Sequence, residues 1–306
     1  MPIRIAIIGF GKIARDQHLP AIASHPGFEL VAVVTPSKDP EVGVPWFASH
    51  AELFDAMAGR LDAVAICTPP TARHDIAGVA LTAGHAVLLE KPPAATLGEV
   101  DDLEAIARRC GRTLYASWHS QHAPAVAPAA EALAGKRITG LRINWFENVR
   151  KWHAGQEWIW APGGFGVFDP GINALSIATR LLPIPLFVRE ASLLFPANKQ
   201  APIAARIGFD GEALSAEMDW RYTDGECWTI AIETSDGGCI ELCDGGFRLL
   251  VDGEERLAAR ESEYGSIYSR FAALIETGQI EVDREPLRIV ADAFLVGRRE
   301  LVEPFL

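Results

Sequence analysis

The chain has 306 residues, 49% hydrophobic and 22% charged, with a formal net charge of −12. That length suggests two domains with ample core, and an acidic chain without a basic stripe excludes nucleic acid and anionic membrane surfaces as expected partners. No apolar run approaches the roughly 20 residues that span a bilayer.

The first residues, Met1-Pro2-Ile3-Arg4-Ile5, enter a strand with none of the features of a signal peptide, so the expected location is cytoplasmic. Cys67, Cys110, Cys227, Cys239 and Cys243 lack metal-type spacing and read as reduced thiols, so no metal is expected. Over residues 1–120, short apolar runs alternate with helical patterns, and strands are predicted at 3–8, 30–34, 63–67, 86–89 and 113–116. The runs are continuous, as parallel strands covered on both faces require. Crossover helices such as 100–109, with Leu103, Ile106 and Ala107 on one face, link them. The expected fold class is α/β, opening with a doubly wound parallel sheet.

From about residue 137 to 250 the strands lengthen and alternate, as at 141–146 and 229–233, and Asp236-Gly237, Asp244-Gly245 and Asp252-Gly253 signal hairpins. Residues 121–306 therefore read as a second α/β domain with an open, mainly antiparallel sheet. Helices are predicted at 170–182 and 286–301, the latter able to pack back on the first domain. Trp228, Ile230 and Ile232 are expected to form an apolar patch on the outer face of the sheet, suited to a homo-oligomer.

Gly9-Phe10-Gly11-Lys12-Ile13-Ala14 follows a strand and opens a helix. Gly9 permits the tight turn, Gly11 lets the backbone approach a pyrophosphate, and Ala14 allows close helix packing. The helix start at Lys12 and Ile13 offers N–H donors to phosphate. The second strand ends Val34-Thr35-Pro36-Ser37-Lys38, with no acid at its tip to grip a ribose hydroxyl. Ser37 and Lys38 can instead donate to a 2′-phosphate, so NADP is the expected cofactor, with NAD also admitted. Cys67-Thr68-Pro69-Pro70 places a rigid turn beside the nicotinamide half.

Glu90-Lys91-Pro92 closes the strand at 86–89. A charged pair at the carboxyl end of such a strand points into the ligand crevice, and Lys91 can stabilise the alkoxide of an alcohol under oxidation. Asp169-Pro170-Gly171-Ile172-Asn173 makes Asp169 a helix N-cap, with Asn173 on the same face. The glycine-rich stretch 161–166 reads as backbone shaped around a ligand. Glu147, Trp152 and His153, then Trp158 and Trp160, interleave aromatic and polar groups in a way that suits a sugar ring. Trp118 and His119 are expected in the same crevice.

Over essentially its whole length the chain resembles the Gfo/Idh/MocA oxidoreductase family, through the Gly9-to-Ala14 loop, Glu90-Lys91-Pro92 and the Asp169-to-Asn173 helix start. The resemblance implies a Rossmann domain followed by an α/β domain whose open sheet often forms oligomer contacts, here a dimer. Most members carry Asp and His four residues apart at that helix start, and Asn173 stands where the His would be. In this the chain is similar to the branch of aldose 1-dehydrogenases acting on L-arabinose or D-galactose. The implied reaction oxidises the anomeric hydroxyl to a lactone. Asp169 is then the base, Lys91 its electrostatic partner and Asn173 the orienting group, with the roles of Lys91 and Asp169 open to exchange. Two rivals remain: oxidation of a ring secondary alcohol, as in inositol-type relatives, and an NADP or sugar sensor without turnover.

Overall fold

The computed structural model describes residues 1–36, 41–211, 213–259 and 263–306. The chain forms two compact units, Met1–His119 with Ser262–Arg284, and Ser120–Glu261 with Glu285–Leu306. Ser37 and Lys38 lie outside the described residues. Among the described residues no helix is long and apolar enough to cross a membrane.

Among the described residues the first unit holds six strands: β1 (Ile3–Ile8), β2 (Phe28–Val34), β3 (Trp46–Phe47), β4 (Ala63–Ile66), β5 (Ala86–Leu89) and β6 (Leu114–Ala116). They are all parallel, in the order β3-β2-β1-β4-β5-β6. Because successive side chains point to opposite faces, one run feeds two cores. Ile5, Ile7, Val33, Ala65 and Leu88 pack on one face, and Ala6, Ile8, Val34, Ile66 and Leu89 on the other. That double cover is why the runs read as continuous. The order reverses between β1 and β4, the position where such sheets bind ligands.

The helix returning to the first unit differs from the one expected. It is Glu263–Thr277, whose Tyr264, Ile267, Tyr268, Phe271 and Leu274 join the first core cluster. The helix predicted at 286–301 runs only over Glu285–Val296 and belongs to the second unit. Gly297 follows it, and Arg298–Val302 pairs as a strand instead.

The second unit adds β7 (Ile138–Phe146), β8 (Val188–Pro196), β9 (Ala204–Phe209), β10 (Leu214–Asp219), β11 (Cys227–Thr234), β12 (Cys239–Cys243), β13 (Arg248–Val251), β14 (Glu254–Ala258) and β15 (Arg298–Val302). They form one sheet in the order β14-β13-β12-β11-β7-β10-β9-β8-β15. Pairing is antiparallel except for β7 with β10 and β8 with β15. At the β13–β14 turn both Asp252 and Gly253 have positive φ, as a tight hairpin demands.

Helices Val126–Leu133, Phe168–Leu181 and Glu285–Val296 pack against strands of this sheet. Beneath them lie Leu141, Ile143, Trp145, Met218, Ile230 and Ile232, all buried. The apolar patch assigned to the outer face is therefore misplaced: Ile230 and Ile232 point inward with the core set of β7, and Trp228 shares their parity. The opposite face carries Arg142, Asn144, Arg206, Glu217 and Ser192. A partner on that face would meet charge rather than an apolar surface. Ile232→Ala should accordingly act as a core deletion, costing about 2–5 kcal/mol in urea titration. A loss within about 0.5 kcal/mol would return the side chain to the surface.

Candidate active site

In the first unit the Gly9-to-Ala14 loop after β1 and the Cys67–Pro70 turn after β4 meet at the switch point. Gly9 has φ +92°, and a Cβ there would stand 2.7 Å from the Thr68 nitrogen. The glycine thus serves both the turn and the close passage of two loops. A Cβ on Gly11 would meet no protein atom within 4 Å, so the space beside it is open to a ligand. Lys12 and Ile13 are exposed at the start of the helix, and Ala14 is buried as the third fingerprint position. Lys12 pairs with Asp16. Ala14–His18 forms a π turn, a distortion often found at functional sites. Cys67 and Thr68 are half-buried, and Pro69 is exposed at the N-terminus of the Pro70–Thr82 helix. The buried Thr68 Oγ1 has no hydrogen-bond partner among the described residues. An open glycine, exposed helix-start residues and an unsatisfied hydroxyl along one rim fit a dinucleotide.

The π turn directs His18 into the core, fully buried. Its Nε2 lies 3.0 Å from Glu90 Oε1 and its Nδ1 2.7 Å from the Tyr268 hydroxyl. The Tyr264 hydroxyl donates to the same Glu90 oxygen at 2.7 Å, and the Lys91 backbone N–H donates to Glu90 Oε2 at 3.0 Å. Burial opposes charge on His18, but the facing Cys67, Tyr268 and Glu90 outweigh it and raise its pKa well above the ordinary value. Burial likewise opposes charge on Glu90, and His18, His119 and Tyr264 hold it far below the usual carboxylate range. Burial pushes Tyr268 up to about 12. The Glu90 carboxylate can only accept, so Nε2 donates to it, while the Tyr268 hydroxyl can meet Nδ1 as donor or acceptor.

Lys91 is half-buried next to this carboxylate, and its bond to Pro92 is cis. Arg73 braces the surrounding turns: its Nε donates to the Thr68 carbonyl at 2.8 Å, and its Nη1 to the Glu90 and Pro92 carbonyls. His119, read from sequence as a sugar contact, pairs with Glu263 at 2.8 Å. Burial disfavours its charge, Glu263 more than restores it, and Lys91 stands near enough to oppose it. Trp118 is a core residue whose indole N–H donates to the Asp283 carbonyl at 2.9 Å.

In the second unit Glu147, His153 and Asp169 form a row. His153 Nε2 lies 3.5 Å from Glu147 Oε1, and its Nδ1 3.8 Å from Asp169 Oδ2. Glu147 is buried and accepts from two indoles, Trp220 at 3.2 Å and Trp228 at 3.1 Å. Trp152 is turned away from this row by its own hydrogen bond, donating to Glu226 at 3.1 Å while its ring meets Trp228.

Asp169 is not the N-cap. The helix begins at Phe168 and its N-cap is Val167, with no side-chain cap, so Pro170 stands inside the first turn, where no intrahelical N–H bond is lost. Asn173 is half-buried, one turn on along the same face. The glycine-rich loop is shaped by the protein itself. A Cβ on Gly164 would stand 2.1 Å from the Trp158 carbonyl oxygen, and one on Gly166 2.3 Å from that of Pro202.

His18, Arg73, Tyr264 and Tyr268 have no motif that marks them. Their linkage is testable. His18, raised above its ordinary 6.5, contributes stability that is complete below that value and lost as pH rises through its folded pKa. Glu90, lowered, contributes stability that is present above its ordinary 4.5 and lost only as pH falls through its folded pKa. The stability gap between wild type and Glu90→Gln in urea titrations should therefore narrow as pH rises into the alkaline range. A gap independent of pH would mean that His18 is neutral in the folded protein.

The model of the oxidoreductase family with an NAD-binding Rossmann fold matches residues 3–117. A galactose 1-dehydrogenase from Pseudomonas fluorescens is 46% identical over 310 residues, covering 99% of both chains. The crystal structure of a D-galactose-1-dehydrogenase from Rhizobium etli superposes with a TM-score of 0.93 at 50% identity, over 100% of this chain and 98% of that one. A 3-ketoreductase from Actinomadura kijaniata, in complex with NADP and TDP-benzene, shares the fold with a TM-score of 0.85 at 18% identity, over 99% of this chain and 100% of that one. Matched in its Rossmann half by the family model and along its whole length by a close relative, the chain belongs to the Gfo/Idh/MocA family of oxidoreductases.

Proposed function

We propose that this protein oxidises the anomeric hydroxyl of D-galactose to the lactone, with NADP as the preferred acceptor. The observation that carries the reading is the full-length similarity to a galactose 1-dehydrogenase, at 46% identity over 99% of both chains. L-arabinose shares the ring hydroxyl configuration and lacks only the hydroxymethyl group, so it is a second substrate on this reading.

Gly9, Gly11, Lys12 and Ile13 would hold the pyrophosphate, and Cys67, Thr68, Pro69 and Glu90 would line the nicotinamide side. Ser37 and Lys38 would take the 2′-phosphate. A dinucleotide held there would supply the acceptor for the hydride that leaves the anomeric carbon. Lys91 presents an ammonium whose value grows as the hydroxyl becomes an alkoxide. Asp169 takes the hydroxyl proton. A carboxylate is a weak base, so the reaction depends on that stabilisation. Asn173 orients the sugar, and Glu147, His153 and His119 complete the sugar side, with Trp152 held aside by its bond to Glu226.

Initial rates with D-galactose and NADP test this. Lys91→Ala and Asp169→Ala should each lower kcat on the order of 10²-fold, with Asn173→Ala costing less. Losses confined to KM would make these residues sugar holders only. Lys38→Ala should raise the KM for NADP and leave that for NAD nearly unchanged, since only NADP carries the 2′-phosphate. Equal effects on both would remove Lys38 from cofactor choice.

A further inference from the structure

The segment between β7 and the Phe168–Leu181 helix carries His153, yet little inside it can hold it in place. It contains two four-residue helical turns, Val149–Trp152 and Glu157–Trp160. Helices that short are not stable by themselves, so their geometry comes from what they pack on. Glu226, Trp220, Trp228 and Lys199 hold parts of it, and Phe305, just past β15, touches both turns. Its ring lies 4.1 Å beneath the Arg150 guanidinium and 5.7 Å from the ring of Trp160, one contact on each helical turn. The Phe305 backbone is clamped on both sides by one amide: its N–H donates to Asn198 Oδ1 at 2.9 Å, and Asn198 Nδ2 donates to its carbonyl at 2.9 Å. Arg150 also donates to the Leu306 carbonyl at 2.5 Å.

The contacts continue inward. Trp160 packs edge-on against Trp220 with ring centres 5.1 Å apart. Trp220 lies 5.2 Å from the ring of His153 and donates its N–H to Glu147. An aromatic series thus runs from Phe305 through Trp160 and Trp220 to the imidazole between Glu147 and Asp169.

We propose that Phe305 is a positioning residue for sugar binding, fixing the 149–160 segment and through it the placement of His153 and Glu147. The proposal rests on the sugar-oxidation reading above. The contacts described for Phe305 are with Arg150, Trp160 and Asn198, on the segment that carries His153, so its loss should act on sugar binding.

The test uses the full chain with Phe305→Ala, Asn198→Ala and the conservative Phe305→Tyr. Phe305→Ala and Asn198→Ala should raise the KM for D-galactose roughly 3- to 30-fold, the range for a substitution coupled at a distance. kcat and the KM for NADP should stay within about 2-fold of wild type, and Phe305→Tyr should restore the sugar KM. Amide hydrogen exchange over residues 149–160 should speed up in Phe305→Ala. An unchanged sugar KM in a variant with faster exchange would overturn the proposal, leaving Phe305 a structural anchor only. So would unchanged exchange in that segment, a result that needs no turnover. Absence of turnover by wild type on any aldose would instead sink the substrate reading, and Phe305 would then be judged by exchange alone.

Discussion

A carboxylate taken out of water must be paired and hydrogen-bonded where it stands, and the first unit is organised around one such group. Glu90 is 2% exposed at the end of β5. Its partners come from two remote stretches of chain, His18 after the phosphate loop and Tyr264 on the returning helix. Meeting that single requirement ties three segments together at the reacting end of the sheet. It also gives the π turn a physical purpose, since that turn puts His18 in the core while Lys12 and Ile13 stay at the surface. Lys91 inherits a fixed backbone, because its own N–H is bound by the carboxylate next to it. Removing one partner would strand a buried charge, which costs more than the pair itself is worth.

The second unit meets a similar constraint with neutral donors. Glu147 is held by the indole N–H groups of Trp220 and Trp228. Each indole donates a single hydrogen bond while filling a large apolar volume, so the carboxylate keeps acceptor capacity for a further group. The aromatic density around residues 145–160 therefore builds the wall of the site as well as facing it. His153 stands beside Asp169 from a different segment, brought there by tertiary packing and not by helix periodicity.

The parallel, doubly wound character of the first unit and the strand–loop–helix setting of Gly9 to Ala14 are legible in the sequence because they follow local rules, whereas the strand order and the short β3 are not. Continuous apolar runs, a glycine fingerprint and a charged strand end each fit within a few residues. Trp228, Ile230 and Ile232 alternate cleanly, and alternation shows that two faces differ without showing which is covered, so the inward face of the patch is not legible in the sequence. The helix at 286–301 was overextended because Gly297 and the pairing of Arg298–Val302 with β8 are set by a strand about 100 residues away. Asp169 was read as a cap because a following proline is favoured at the first helical position, while the helix tolerates it throughout its first turn. The glycines at 164 and 166 were assigned to a ligand because sequence cannot distinguish a ligand's approach from that of the protein's own backbone. His18, Arg73, Tyr264 and Tyr268 are paired across long sequence separations, where no spacing rule reaches.

Anomeric hydride transfer is the central claim, and isotopic labelling reads it directly. D-galactose carrying deuterium only at the anomeric carbon should be incubated with the protein and oxidised NADP, and both products examined by NMR. The prediction is deuterium on the reduced nicotinamide ring and none in the sugar product, which should be the lactone. Reduced cofactor free of deuterium, together with a ketone that retains the label, would place the oxidation at a ring hydroxyl and contradict it.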